Sequence, residues 1–242
     1  MLQIKNLTKR YGDKCAVEHL NLHIRPGELC AFIGHNGAGK TTTLKACCGL
    51  LDFDEGEILV DGVNIQDISR DFLRDNIAIV LQDTVLFSNT IENNIKYADL
   101  DASDEKMIRA ADMSHIRHYI ERLPKKYKTY LKQAGASLSH GQRQLMSIAR
   151  AVLADPKILI LDEATSSVDT RTERKIQDAM VQLMKNRTSL IIAHRLSTIR
   201  DADKIVVMDQ GRVVEIGNHE ELLAKHGKYY ELYMTQFAGN KI

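Results

Sequence analysis

Two hydrophobic periods divide the chain. Near its start, apolar and polar residues alternate in Leu2-Gln3-Ile4 and Leu20-Asn21-Leu22-His23-Ile24, as half-exposed strands do. Glu57-Ile58-Leu59-Val60 adds a third strand to that sheet and closes on the Asp61-Gly62 turn. Elsewhere Glu28 to Ile33 reads as a buried strand, and Ile77 to Leu81, Ile158 to Leu161 and Ser189 to Ala193 are continuous apolar runs. Such runs suit a parallel sheet covered on both faces. From residue 88 to residue 153 they are missing and helical spacing takes over, in Met107, Ile108 and Ala111 and again in Leu145, Ile148, Ala149 and Val152. Pro156 stops that second pattern. Thr170-Arg171-Thr172-Glu173 has capping-box spacing and opens a helix through Ile176, Ala179, Met180 and Leu183. Ile205 to Met208, Asp209-Gln210-Gly211 and Arg212 to Glu215 predict a hairpin, and His219 to Phe237 a terminal helix.

The fold class expected is α/β, with a mostly parallel sheet, an N-terminal antiparallel β subdomain and an inserted helical subdomain. A chain of 242 residues accommodates this as one domain, with a core over 1–87 and 154–242 and a helical part over 88–153. A formal charge of +1 with no basic block gives no reason to expect nucleic acid. The apolar runs fall far short of the ~20 residues that span a bilayer, and the N-terminus lacks a signal pattern. A soluble protein is expected, joined to any membrane through another chain or a removed segment. Cys15, Cys30, Cys47 and Cys48 lack metal-site spacing and read as reduced thiols of the cytoplasm.

Gly34-His35-Asn36-Gly37-Ala38-Gly39-Lys40-Thr41 is a complete phosphate-binding loop between an apolar strand and a helix. Glycines let successive N–H groups point inward as an anion nest. Lys40 brings a point charge to the β- and γ-phosphates, and the Thr41 hydroxyl ligates Mg²⁺. The helix leaving the loop aims its positive end at the same anion. This reads as a nucleoside triphosphate site.

A second constellation narrows the reading. The run from Ile158 ends in Asp162-Glu163, where the first carboxylate holds Mg²⁺ and the second accepts the proton of an attacking water. Upstream lies Leu138-Ser139-His140-Gly141-Gln142, a serine and a glycine at a helix N-terminus, which form another anion site. With these in order, the chain resembles the nucleotide-binding domain of an ABC transporter, over essentially its whole length. Leu138 to Gln142 resembles the family signature, with His140 where glycine is usual and its side chain expected to face solvent or the neighbouring chain. Gln82 resembles the Q-loop glutamine, Ser166-Ser167-Val168-Asp169 the D-loop, His194 the switch histidine and Tyr11 the adenine-stacking aromatic.

The resemblance implies a P-loop NTPase core of the RecA-like kind, with ATP and Mg²⁺ as its ligands. Tyr11, Gly34, Asn36, Gly37, Gly39, Lys40, Thr41, Thr42 and Gln82 would bind nucleotide. Thr41, Gln82 and Asp162 would hold the metal, and Glu163, His194 and Lys40 would serve catalysis. Ser139, Gly141 and Gln142 would reach the nucleotide of a partner chain, and Asp169 would stand at the interface or simply cap the next helix. A head-to-tail homo- or heterodimer would close over two ATP molecules, beside a transmembrane domain at the cytoplasmic face of a membrane.

Within the family the two ends resemble different branches. Tyr11 to Lys14, Gly37 to Leu44 and Cys48 to Leu51 resemble ATPases encoded apart from their permease. From Gly56 onward, Gln82 to Phe87, Thr90 to Ile95, Ser139 to Gln144 and Ala193 to Leu196 resemble exporters with a fused ATPase. A hybrid joined between Leu50 and Gly62 is therefore expected. The alternatives are a soluble ABC ATPase or a module uncoupled from transport. The interval from Lys40 to Leu138 has no room for the long coiled coil of repair ATPases. Gln133-Ala134-Gly135-Ala136-Ser137 lacks the acid that fused exporters often carry just before the signature.

Overall fold

A computed structural model describes residues 1–81, 84–162, 168–193 and 196–235. They form two compact units. The first comprises Met1–Ile77, Ile158–Glu163 and Asn186–Ile242, the second Ala78–Lys157 and Ala164–Lys185. The strands are β1 (Leu2–Tyr11), β2 (Lys14–Ile24), β3 (Leu29–Ile33), β4 (Glu55–Val60), β5 (Val63–Asn64) and β6 (Ile77–Val80), which leads into the second unit. They continue with β7 (Ile158–Asp162), β8 (Thr188–Ile192), β9 (Lys204–Asp209) and β10 (Arg212–Gly217). Helices α1 (Lys40–Cys47) and α2 (Arg70–Asn76) belong to the first unit. The second holds α3 (Ile91–Ile95), α4 (Asp104–Met113), α5 (Arg117–Glu121), α6 (His140–Ala154) and α7 (Thr170–Met184). Helices α8 (Leu196–Arg200), α9 (His219–Ala224) and α10 (Lys228–Tyr233) return to the first.

The first unit contains two sheets. The strands with alternating patterns pair antiparallel in the order β2-β1-β4-β5, with Leu2 opposite Ile24 on one side and Val60 on the other. The continuous apolar runs form the second sheet, β10-β9-β3-β8-β7, in which β3 runs parallel to both β8 and β9. Every residue of β8 is buried, as expected where both faces are covered. The β9–β10 hairpin turns on Gln210 and Gly211, both at positive φ, the type I′ geometry whose twist suits a two-residue connection.

In the second unit, α6 lays Leu145, Met146, Ile148 and Ala149 into a core shared with Ile91 and Ile95 of α3 and Met107 and Ala110 of α4. It stops at Asp155, which is left-handed at φ 44°, one residue before Pro156. Helix α7 starts at Thr170 as expected, and of the two residues that could cap it the cap is Asp169, whose carboxylate accepts a hydrogen bond from the Thr172 amide; Thr170 already lies inside the helix. One expectation is corrected: the terminal stretch is two short helices, α9 and α10, separated at His226 and Gly227. His226 is left-handed at φ 51°, which ends regular helix. The residues beyond 235 lie outside the described ones.

Candidate nucleotide site

The phosphate loop leaves β3 after Ile33 and enters α1 at Lys40. Gly34 has φ +147°, and a β-carbon there would stand 2.2 Å from the Met208 carbonyl oxygen of β9. Gly39 has φ +100°, and its β-carbon would meet the Ala16 carbonyl oxygen of β2 at 2.4 Å. Neighbouring backbone, as well as the turn itself, therefore demands glycine at both ends of the loop. The hairpin turn seats it further: the Gly211 amide donates to the Ala38 carbonyl at 3.1 Å and the Glu18 amide to the Gly211 carbonyl at 2.8 Å.

Helix α1 has no side-chain cap and no acidic residue in its first turn. Its first N–H groups lack partners within the helix and carry the positive end of its dipole. Lys40 reaches back over the loop, donating to the Gly34 carbonyl at 2.6 Å and the His35 carbonyl at 2.9 Å. Its side chain is buried. Burial pushes the ammonium pKa below its ordinary value, while Asp162 at the end of β7 pulls the other way. A buried cation held by neutral carbonyls among the described residues, at the start of an uncapped helix, suits a multiply charged anion.

Asn36, Gly37 and Thr41 are exposed and Thr42 is half-buried, whereas Thr43 is buried and ties its hydroxyl to the Gly39 carbonyl at 3.0 Å. Tyr11 ends β1 and is 51% exposed. The Lys9 ammonium lies 5.5 Å from that ring centroid and 3.5 Å from Asp54 Oδ1, so the aromatic ring rests on an anchored cation. Among the described residues no cluster of three or more His, Cys, Asp or Glu is arranged to hold a metal. An ion that arrives with nucleotide phosphates needs only one or two protein groups, and Thr41 and Asp162 fit that requirement. Gln82, Glu163, Ser166, Ser167 and His194 lie outside the described residues.

In the second unit the signature residues build a helix start. The Ser139 hydroxyl accepts from the Gln142 amide at 3.2 Å, and the Ser139 amide donates to Gln142 Oε1 at 2.9 Å, a full capping box. The Gln142 side chain is thus engaged by its own helix. Gly141 faces α7: a β-carbon would stand 2.4 Å from Thr172 Cγ2 and 3.0 Å from Val168 Cγ1. Asp169 caps α7 at 3.0 Å, and the Thr172 amide holds its carboxyl below the usual carboxylate range. His140 is half-buried, and its Nδ1 is buried with no hydrogen-bond partner among the described residues.

Sequence reasoning missed the residues that seat these motifs. Met208, Ala16 and Gly211 shape the loop and Thr172 crowds Gly141; the hairpin and helix-start patterns that include Met208, Gly211 and Thr172 say nothing of that role.

A model of the ABC transporter family matches residues 17–166. The ATP-dependent lipid A-core flippase of Syntrophus aciditrophicus is 47% identical over 241 residues, covering 100% of this chain and 40% of that protein. The fatty acid ABC transporter ATP-binding/permease protein of Mycobacterium bovis is 50% identical over 216 residues, covering 89% of this chain and 34% of the relative. A solved bacterial Atm1-family ABC exporter with ATP bound is 39% identical, with a TM-score of 0.91, over 100% of this chain and 42% of its own. The chain thus spans about two fifths of the flippase and exporter and a third of the permease. The flippase alignment runs across the join expected between Leu50 and Gly62, so these comparisons lend a hybrid origin no support. On the family match, the relatives and the phosphate loop together, the chain belongs to the ABC transporter family and is an ATPase domain of the exporter kind.

Proposed function

We propose that this chain binds MgATP in the loop from Gly34 to Thr41 and hydrolyses it across a head-to-tail dimer that drives export through a transmembrane domain. The observation that carries this reading is Lys40, buried over its own loop carbonyls at the uncapped start of α1. Entry of a triphosphate gives the ammonium a better partner than two neutral carbonyls, and the α1 amides close on the β- and γ-phosphates. Tyr11 stacks on the base. When bound, Mg²⁺ draws negative charge off the phosphates, and Thr41, Asp162 and Gln82 would hold it. Glu163 takes the proton of the attacking water, and His194 contacts the γ-phosphate. Ser139 and Gly141 of one chain meet the nucleotide of the other, with Gln142 holding their helix start. The relatives' names, flippase and permease, support a membrane-coupled role at the cytoplasmic face.

Sizing of Glu163→Gln with saturating MgATP, beside the nucleotide-free protein, tests the dimer. A shift from monomer to dimer is expected. A variant that binds nucleotide tightly yet stays monomeric would overturn the shared site.

A further inference from the structure

Arg150, half-buried near the end of α6, is bonded across the second unit rather than along its own helix. Its Nε donates to the Asn94 carbonyl, its Nη2 to Asn94 Oδ1 and its Nη1 to the Val85 carbonyl, each at 2.6 Å. The guanidinium also lies 5.2 Å from the Phe87 ring centroid and 5.6 Å from that of Tyr97, and those two rings stand 4.5 Å apart. Asn94 is fully buried. Its Oδ1 accepts from the Phe87 amide at 2.9 Å, and its Nδ2 donates to the Phe87 and Thr90 carbonyls at 3.0 Å.

One cation thereby gathers Val85, Phe87, Asn94 and Tyr97 onto α6. The three acceptors it bonds are neutral, and burial pushes its pKa down to about 10, so it remains a cation at neutral pH. The segment it grips has few apolar anchors. Leu86, Ile91 and Ile95 are its buried anchors, whereas Val85 is 67% exposed and Tyr97 60%. Three charge-assisted hydrogen bonds of this length outweigh what such exposed side chains contribute by burial.

We infer that Arg150 is a positioning residue that makes the segment following Gln82 and the helix opening at Ser139 move as one body. The inference rests on the reading of Gln82 and Ser139 as nucleotide contacts. A planar fork bonded at three points transmits displacement in a way that a point charge does not. The bonds of the clamp lie within the second unit, so it serves turnover and not nucleotide affinity.

The test compares the 242-residue chain with Arg150→Gln, Arg150→Lys and Tyr97→Leu. It measures MgATP turnover, ATP affinity and hydrogen exchange at the Phe87 amide. In both Arg150 variants kcat should fall roughly tenfold or more with ATP affinity held within about twofold, and Phe87 exchange should accelerate. Lysine should not rescue turnover, and Tyr97→Leu should give a smaller loss of the same kind. Unchanged kcat, or parallel loss of kcat and affinity, overturns the inference, as does full rescue by lysine. If Arg150→Gln does not fold, Tyr97→Leu, at an exposed ring, decides the question by the same criteria. A wild-type chain without turnover would instead refute the ATPase reading. Phe87 exchange needs no nucleotide and still decides whether the clamp exists.

Discussion

Gly141 and Thr172 approach so closely that a β-carbon on the first would stand 2.4 Å from Cγ2 of the second. The glycine in the signature therefore has a packing duty: it lets the start of α6 press against the start of α7. Gly141→Ala should destabilise the chain by ~1–3 kcal/mol, seen as a lower urea midpoint. Thr172→Ser removes the offending methyl, so the double variant should recover most of the loss. Additive penalties in the double variant would show that the contact is not what excludes alanine.

Lys40 donates to the Gly34 and His35 carbonyls and supplies the charge that a triphosphate would meet. ATP should raise the melting temperature of the wild-type chain by linkage, and Lys40→Ala should abolish that shift. Equal shifts in the two proteins would remove Lys40 from the site.

Glu163→Gln keeps the size of the side chain and removes the base. Turnover should fall by roughly 10²–10⁴ while ATP-induced thermal stabilisation persists. Retained turnover would assign the base elsewhere.

The Tyr229 hydroxyl lies 2.5 Å from His219 Nδ1. Burial lowers the imidazole pKa from its ordinary 6.5, Arg200 lowers it further, and Glu220 opposes both. The unfolded chain then takes up the proton at a higher pH than the folded one. Stability is therefore lost as pH falls from about 6.5 through the lower folded value, and is intact above 6.5. His219→Gln should flatten the fall in stability below about pH 6.5. Identical slopes in urea denaturation would exclude His219 as its source.

Much of the molecule can be read from contiguous residues. The phosphate loop, the strand before it and the helix after it follow from local glycine, lysine and apolar placement. The two sheet types follow from alternating and unbroken apolar patterns, because burial on one face or two imposes those periods. The stop at Pro156 is likewise a local matter of a missing N–H. The cap of α7 is local too, but Thr170 and Asp169 both offer a suitable oxygen, and only the backbone geometry shows that Asp169 is the cap.

Tertiary structure decided the rest. Gly34 and Gly39 answer to the carbonyls of Met208 and Ala16, which no loop motif encodes. Arg150 reads as one more helical arginine until the fold delivers Asn94, 56 residues away in the chain, to its guanidinium. Such contacts join groups by direction and distance alone, so they leave no period and no spacing in the sequence. Periodicity records which face of an element is buried; only the packed chain determines which residue lies opposite.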